Sequence, residues 1–538
     1  MSTILNHLGE TNYNNNNNNT NNNNNNILDK VINEKERRGT PIQEFYMEQK
    51  ILITGGTGFL GKILIEKLLR SCPGISFIYL LIRSKKEKNA KARIEELFED
   101  CVFDRMKKEV PKYRDKIVAV CGDCGVEKLG LSTKDRKMLE NEVSIVFHVA
   151  ATVRFNEKLK LATVINVRST NDLLEMCKSM PKLKALVHVS TAYANCFEKQ
   201  IEERFYKYSV HHEELLRLTE TLSEEELENK YQNVTSKWPN MYTFTKAMAE
   251  SLIKEKHGNL PIGIVRPAIV ISTAYEPIEG WLDNIYGPNG ITAAASSGIL
   301  RVMYCDSAKI ADIIPVDITV NAIIASAWDI TMHTNRKGDD MLIYNVVAST
   351  EAPLTWDQYH HICYPYIRQY PSSNMIWYPT LITTKNKLLY NILSFIFQTL
   401  PATLIDIILF CLGKKPRMRK TINKINNFVE ILSFFCTRNW VFVNDNVHNM
   451  WTRLNSKDQQ LFRFSMANFD WQLYLHKYMK GIRTYLFKEN KDTLESSQLK
   501  LKRLYWIHHI FKILFYLGGF WTIFKIFCKI FPYPSFHG

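Results

Sequence analysis

From Lys50 onward, short apolar runs alternate with charged stretches of helical period. The runs are Ile51–Thr54, Phe77–Ile82, Ile117–Val120, Ile145–Val149, Ala185–Val189 and Ile262–Val265. Between them lie Lys62–Arg70, Ala90–Phe98, Ser169–Lys178 and Lys246–His257. A short run that is apolar at every position has no face to offer water. It reads as a strand covered on both sides, and the helix that follows supplies the cover. Residues 45–350 are therefore expected to form an α/β domain, a Rossmann-type doubly wound parallel sheet.

After about residue 350 the alternation fades, and residues 351–490 read as a mainly helical C-terminal domain. Leu388–Ile405 carries 18 residues without a charge, interrupted by Asn391, Gln398 and Pro401. A second apolar block, Leu504–Phe531, is divided by Lys512, Lys525 and Lys529, so its longest uncharged piece, Ile513–Phe524, has 12 residues. A spanning helix takes about 20 apolar residues, so crossing the bilayer and lying in its interface both stay open. No acid follows Glu495 while lysines and arginines continue, which suits anionic headgroups. Residues 491–538 are thus expected to be a basic, aromatic, membrane-associated tail. At the other end, residues 12–26 are almost pure Asn. Such a tract has nothing to bury, so residues 1–44 are expected to be disordered.

Composition narrows the partners. The 538 residues hold 69 Lys and Arg against 54 Asp and Glu, a surplus of +15. A chain this long buries a core without staples. The surplus fits an anionic membrane or a phosphate-rich ligand. Nucleic acid is set aside, because the charge sits beside apolar blocks and no nucleic-acid module is present. Eleven cysteines lack regular spacing, and the first thirty residues lack an apolar core, so thiols in a reducing, cytosol-facing compartment are expected. Cys121 and Cys124 form a lone C-x-x-C, read as packing, and no metal site is expected.

The chemistry begins where Ile51–Thr54 runs into Gly55-Gly56-Thr57-Gly58-Phe59-Leu60-Gly61 and a helix. This is G-x-x-G-x-x-G at a strand-to-helix turn, where backbone can approach a pyrophosphate at a helix N-terminus. Gly55, Thr57, Gly58, Phe59, Leu60 and Gly61 are the expected cradle. The second strand ends without the acid that holds a ribose 2′-hydroxyl in NAD sites. Arg83 and Lys85 stand there instead and can pair a 2′-phosphate, so the expected cofactor is NADPH. Asp123 is placed to accept from the adenine amine, and Ala150 and Ala151 leave room for the dinucleotide.

Tyr242 and Lys246 are spaced i, i+4 on one helix face. A cation beside the phenol is expected to pull its pKa down from about 10 and make Tyr242 a proton donor or acceptor. The run Ala185–Val189 ends in Ser190-Thr191, a hydroxyl placed to orient a carbonyl oxygen, with Thr191 preferred over Ser190. A role for Asn166 in organising a relay water is not counted among the expected site residues.

Together these pieces resemble the extended short-chain dehydrogenase/reductases, and more closely the fatty acyl-CoA reductases of the insect "male sterility" type. The likeness rests on Thr54–Leu69, Phe147–Phe155, Val187–Cys196, Tyr242–Glu250, Val265–Pro267 and Ile313–Asn321. It covers about residues 45–350, with weaker motifs over 360–485. The resemblance implies an NADPH-dependent enzyme on the endoplasmic reticulum or peroxisome. Its catalytic domain would face the cytosol and turn long-chain acyl-CoA into fatty alcohol through an aldehyde. A membrane-bound reductase of sterol-type carbonyls, and an idle NADP-binding scaffold, are the rival readings.

Overall fold

The computed structural model describes residues 39–84, 89–333 and 341–530. The Asn tract and Lys85 lie outside the described residues. Seven strands form one parallel sheet. They are β1 (Lys50–Thr54), β2 (Phe77–Ile82), β3 (Ile117–Cys121), β4 (Ile145–His148), β5 (Ala185–Val189), β6 (Ile262–Pro267) and β7 (Leu342–Val346). Their order is β7-β6-β5-β4-β1-β2-β3. The chain thus winds outward from β1 to β3, returns to β1's other side at β4, and continues to β7. The reversal between β1 and β4 opens a crevice beyond their C-terminal ends, where ligands of such sheets bind.

The six expected strands are present. β7 was not expected, because Tyr344 and Asn345 interrupt its apolar run. Both are buried and partnered: the Tyr344 hydroxyl donates to Asp329 Oδ2 at 2.8 Å, and Asn345 Nδ2 donates to Val443 O at 2.8 Å. Helix α1 (Phe59–Ser71) follows β1, α2 (Ser169–Lys178) precedes β5, and α3 (Met241–Lys256) precedes β6. After α4 (Pro288–Ser296), helix α5 (Val316–Thr331) is buried over nearly its whole length, packed between the sheet and α1. A helix apolar on all sides is one enclosed by protein on all sides.

Beyond β7 the chain is mainly helical: α6 (Trp356–Gln369), α7 (Lys387–Cys411), α8 (Met418–Cys436), α9 (Trp471–Gly481) and α10 (Leu494–Ile530). One hydrophobic core draws on both sides of residue 350, since Phe435, Trp440, Met450, Phe462 and Tyr478 join the sheet residues. Polar clamps fasten the same joint. The Ile42 N–H donates to Asp458 Oδ2 at 3.3 Å, Lys67 Nζ donates to Leu461 O at 2.6 Å, and Arg453 pairs with Asp329 at 2.6 Å. Among the described residues two helices, Lys387–Cys411 and Lys491–Ile530, are long and apolar enough to cross a membrane. The second absorbs the 12-residue uncharged piece into its α-helical part α10, Leu494–Ile530, of 37 residues, about 55 Å long at 1.5 Å per residue.

Candidate active site

The glycine turn brings a helix N-terminus down onto a strand end. Gly55 sits at φ +74°, and a Cβ there would lie 2.6 Å from Ala150 N. The Gly58 N–H donates to Gly55 O at 3.0 Å, and Gly58 is the N-cap of α1. A Cβ on Gly61 would stand 2.3 Å from Gly55 O, so only glycine lets helix and strand close this tightly. The first-turn N–H groups of α1 are free for an anion, and Thr57, Phe59 and Leu60 line the cavity above them. The cradle fits a pyrophosphate.

Its floor is held by a chain of hydrogen bonds. The Ala150 N–H donates to Thr54 Oγ1 at 3.2 Å, Thr54 Oγ1 meets His148 Nδ1 at 2.8 Å, and His148 Nε2 meets Thr170 Oγ1 at 3.1 Å. Thr170 in turn donates to Asn166 O at 2.8 Å. Each hydroxyl has one proton, so the directions follow. Thr54 donates to Nδ1, and the imidazole proton sits on Nε2 and points at Thr170. The ring is neutral, since burial and then the nearby Lys246 charge push its pKa down to about 3. Ala150 and Ala151 line the cavity beside this floor.

Arg83 lies at the end of β2, 58% exposed, with Nε 3.9 Å from Asp123 Oδ2. The Asp123 carboxylate also accepts from the Gly125 N–H at 2.8 Å, which ties down its own loop. Arg93, which sequence reasoning missed, donates from Nη1 to Arg83 O at 2.5 Å and joins the cavity wall. Its signal was its place in the first turns of the helix after β2. Of the C-x-x-C pair, Cys124 packs against the core. Cys121 is exposed instead, because β3 is the sheet's edge strand.

Asn240 caps α3, its Oδ1 accepting from the Thr243 N–H at 3.0 Å, and this start turns Tyr242 and Lys246 toward the end of β5. Thr191 stands there in extended backbone, its Oγ1 accepting from the Tyr193 N–H at 3.3 Å. All three line one cavity. Lys246 is buried, its Nζ donates to Val189 O at 2.7 Å, and burial draws its pKa down to about 8 while Glu250 opposes. The expected depression of Tyr242 is not found. Burial pushes this phenol up to about 12, and a hydrogen bond with Thr191 offsets only part of that. Burial sets the direction, and Lys246, whose own pKa lies near 8, is already neutral at the pH where the phenol would ionise.

Ser190 has a different partner. Its hydroxyl donates to Glu250 Oε1 at 2.5 Å, and Arg266 grips that carboxylate through Nε at 3.0 Å and Nη2 at 2.6 Å. All three side chains are buried. Asn166 sits in a π-helical turn, Val164–Arg168. Its Oδ1 accepts from the Thr152 N–H at 2.9 Å, and its Nδ2 donates to Thr245 Oγ1 at 2.9 Å, so both ends of the amide are engaged.

The cavity holds about 1030 Å³. It runs from the glycine turn past Tyr242 into a branch walled by Ile291, Met303, Trp356, Cys363, Leu381, Leu432 and Phe435. Among the described residues one group of potential metal ligands, His211, His212 and Glu255, lies within 4.8 Å of one another at the far end of α3.

A glycine turn suited to a dinucleotide, a Tyr/Lys/Thr cluster and an apolar branch thus share one cavity on a Rossmann-type sheet. Two family models, both described as "Male sterility protein", match residues 53–323 and 397–489. "Fatty acyl-CoA reductase wat" of Drosophila melanogaster is 42% identical over 487 residues, 90% of this chain and 93% of its own length. "Fatty acyl-CoA reductase 1" of Xenopus laevis is 36% identical over 463 residues, 86% of this chain and 89% of its own. The chain belongs to this male sterility family of fatty acyl-CoA reductases. Among solved structures, a reductase domain of a nonribosomal peptide synthetase from Mycobacterium tuberculosis matches with TM-score 0.55 at 17% identity, over 82% of this chain and 92% of that one. That likeness speaks for the fold.

Proposed function

We propose that this chain reduces long-chain fatty acyl-CoA to fatty alcohol with NADPH, through an aldehyde, releasing CoA. The observation that carries the reading is the single cavity joining the glycine turn, the Tyr242 cluster and an apolar branch. The Gly55–Gly61 turn would hold the pyrophosphate of NADPH, which when bound would supply the hydride for each of the two reductions, thioester to aldehyde and aldehyde to alcohol.

The chain's own residues manage charge and protons. As negative charge gathers on the carbonyl oxygen, the Tyr242 and Thr191 hydroxyls donate to it, in a site where burial strengthens both bonds. Tyr242 is protonated at neutral pH, so it is the acid that delivers a proton to the alkoxide. Lys246 holds the nicotinamide ribose and the phenol's polar surroundings. Loss of CoA thiolate from the first adduct leaves the aldehyde, which meets the same three groups in the second round. No cysteine nucleophile is needed.

NADPH over NADH is favoured by Arg83, with Lys85 beside it in sequence and Arg93 on the cavity wall. We place the enzyme on the endoplasmic reticulum or peroxisome with α10 as its membrane attachment and the catalytic body in the cytosol. The eleven unpaired cysteines suit that side. The test is an assay of membrane fractions with C16 or C18 acyl-CoA and NADPH, separating lipid products of wild type and Tyr242→Phe. Alcohol from the wild type, lost by about 10²-fold or more in the variant, supports the reading. Aldehyde alone removes the second reduction from it. Nucleotide binding with no lipid product sinks it.

A further inference from the structure

Helix α7 is amphipathic in the reverse sense to a helix of a water-soluble body. Its protein-facing side is where the polar groups are. Gln398 is buried, its Oε1 accepting from the N–H groups of Arg301 at 2.7 Å and Val302 at 2.9 Å. Its Nε2 donates to Asn426 Oδ1 at 2.8 Å and Ser394 Oγ at 3.0 Å. Tyr390, Ser394 and Gln398 are spaced i, i+4, i+8 and all buried, so they form one inward stripe. The outward side carries Ile392, Phe395, Leu404, Ile408 and Phe410, each more than 40% exposed. An exposed apolar face of this size, backed by polar stitching to the protein, marks a surface made for something other than water.

Charge identifies the occupant. Directly after α7 come Lys414, Lys415, Arg417, Arg419, Lys420 and Lys424, all exposed, and no acid occurs between Asp406 and Glu430. Apolar helix and adjoining cations together match an anionic phospholipid surface. The chain path fixes the orientation. Before α7, Ile382–Thr384 pairs in parallel with Val302–Tyr304 of the body. After it, Asp406 accepts from the N–H groups of Arg417 at 2.9 Å, Met418 at 2.8 Å and Arg419 at 2.8 Å, folding α8 back along α7. The far end of α7 thus turns directly into α8, which runs back to the body, where Leu432 and Cys436 join its apolar clusters. α8 cannot accompany it through hydrocarbon, because Arg419, Lys420, Asn423 and Lys424 would be stranded there.

The inner face of α7 also packs against the cavity wall. Tyr390, Leu393 and Phe397 share one small apolar cluster with Met303, Leu381 and Leu432, and the last three line the apolar branch.

We propose that α7 lies in the plane of the bilayer interface as a second membrane contact, and that the acyl chain enters the apolar branch from the lipid side beneath it. The entry route rests on the acyl-CoA reading above; the placement of α7 does not. The full chain is reconstituted in phosphatidylcholine vesicles containing phosphatidylserine. An environment-sensitive label is attached at Ile392→Cys, Leu400→Cys or Ile408→Cys, in a Cys121→Ser, Cys411→Ser, Cys528→Ser background, and its depth is read with brominated lipids. Similar, shallow quenching at all three positions is expected. Label open to aqueous iodide and untouched by brominated lipid overturns the contact, and position 400 far deeper than 392 and 408 overturns the in-plane geometry.

The route is tested by Phe395→Asn with Ile408→Asn. The KM for membrane-partitioned palmitoyl-CoA is expected to rise about tenfold, with octanoyl-CoA turnover from solution unchanged. Equal effects on both substrates, or none on either, overturn lateral entry. Wild type that reduces neither substrate overturns the acyl-CoA reading and the entry route resting on it, leaving the depth data to judge α7.

Discussion

Lys246 is the group whose ionisation should be visible in turnover. Its side chain is buried and donates to Val189 O at 2.7 Å, and burial brings its pKa from 10.5 to about 8. A shift of this size is about 3.4 kcal/mol, at 1.36 kcal/mol per unit, by which the fold disfavours the ammonium. The sign for stability follows from proton binding. Between pH 8 and 10.5 the unfolded chain holds the proton that the folded one has released, so stability rises with pH across that window, and the full cost applies below pH 8.

For catalysis the direction is opposite, because the ammonium is the working form. With a pKa near 8, about nine-tenths of the lysine is charged at pH 7 and about one-tenth at pH 9. The kcat/KM for acyl-CoA, which reports the free enzyme, should therefore fall about tenfold between those values. Tyr242, held up to about 12, stays protonated throughout and adds no limb there. The assay is the initial rate of NADPH oxidation at low acyl-CoA, from pH 6 to 10, for wild type and Lys246→Arg. Arginine stays charged, so the variant should be slower overall but lose the limb near 8. A wild-type plateau flat to pH 10, or a limb near 8 surviving in the arginine variant, refutes the assignment.

Gly61→Ala places a methyl against Gly55 O, at 2.3 Å before relaxation, and should weaken NADPH binding at least tenfold in a fluorescence titration. Arg83→Ala should weaken NADPH by about 10- to 100-fold, the worth of about 1.5–3 kcal/mol for a hydrogen bond to a charged group, and leave NADH nearly unchanged. Glu250→Ala leaves Arg266 buried without its partner and should cost about 3–5 kcal/mol in urea unfolding. In His148→Gln the acid side of the stability curve should flatten. With a folded pKa near 3 against 6.5 unfolded, the native ring loses stability as pH falls between those values, by about 2 kcal/mol from 6.5 to 5. Taking the difference between variant and wild type removes Glu203, whose pKa burial raises to about 7 and which pulls the other way.

Strands β1 to β6 were readable because a parallel sheet covered on both faces leaves no polar position to break the run. β7 escaped because Tyr344 and Asn345 find their partners, Asp329 and Val443, from other parts of the chain. The glycine turn, Tyr242, Lys246 and Thr191 were readable as local patterns, and the fold brings them to one cavity. What the pattern missed was long-range. The Glu250–Arg266 grip on Ser190 joins β5, α3 and β6. The Tyr242 pKa escaped the pattern because spacing on a helix shows that an amine is near, and not that burial raises the phenol while lowering the amine's own pKa below it. On α7, Gln398 looked like an interruption of an apolar stretch; in the fold it is the helix's attachment to the body.

The clamp between Ile42 and Asp458 joins residues 416 apart, and that distance bears on how the molecule reaches its shape. Closing so long a loop is slow relative to local pairing. Until residues 453–461 arrive, α1 and α5 lack the partners that Arg453 and Leu461 O provide, and the apolar flank beneath them stays wetted. A chain halted in synthesis after β7 would thus present a complete sheet with an unsealed side. Quality-control machinery that binds exposed apolar surface has a long interval in which to engage it, and shortened forms of this enzyme would be held by chaperones rather than released as working reductase halves.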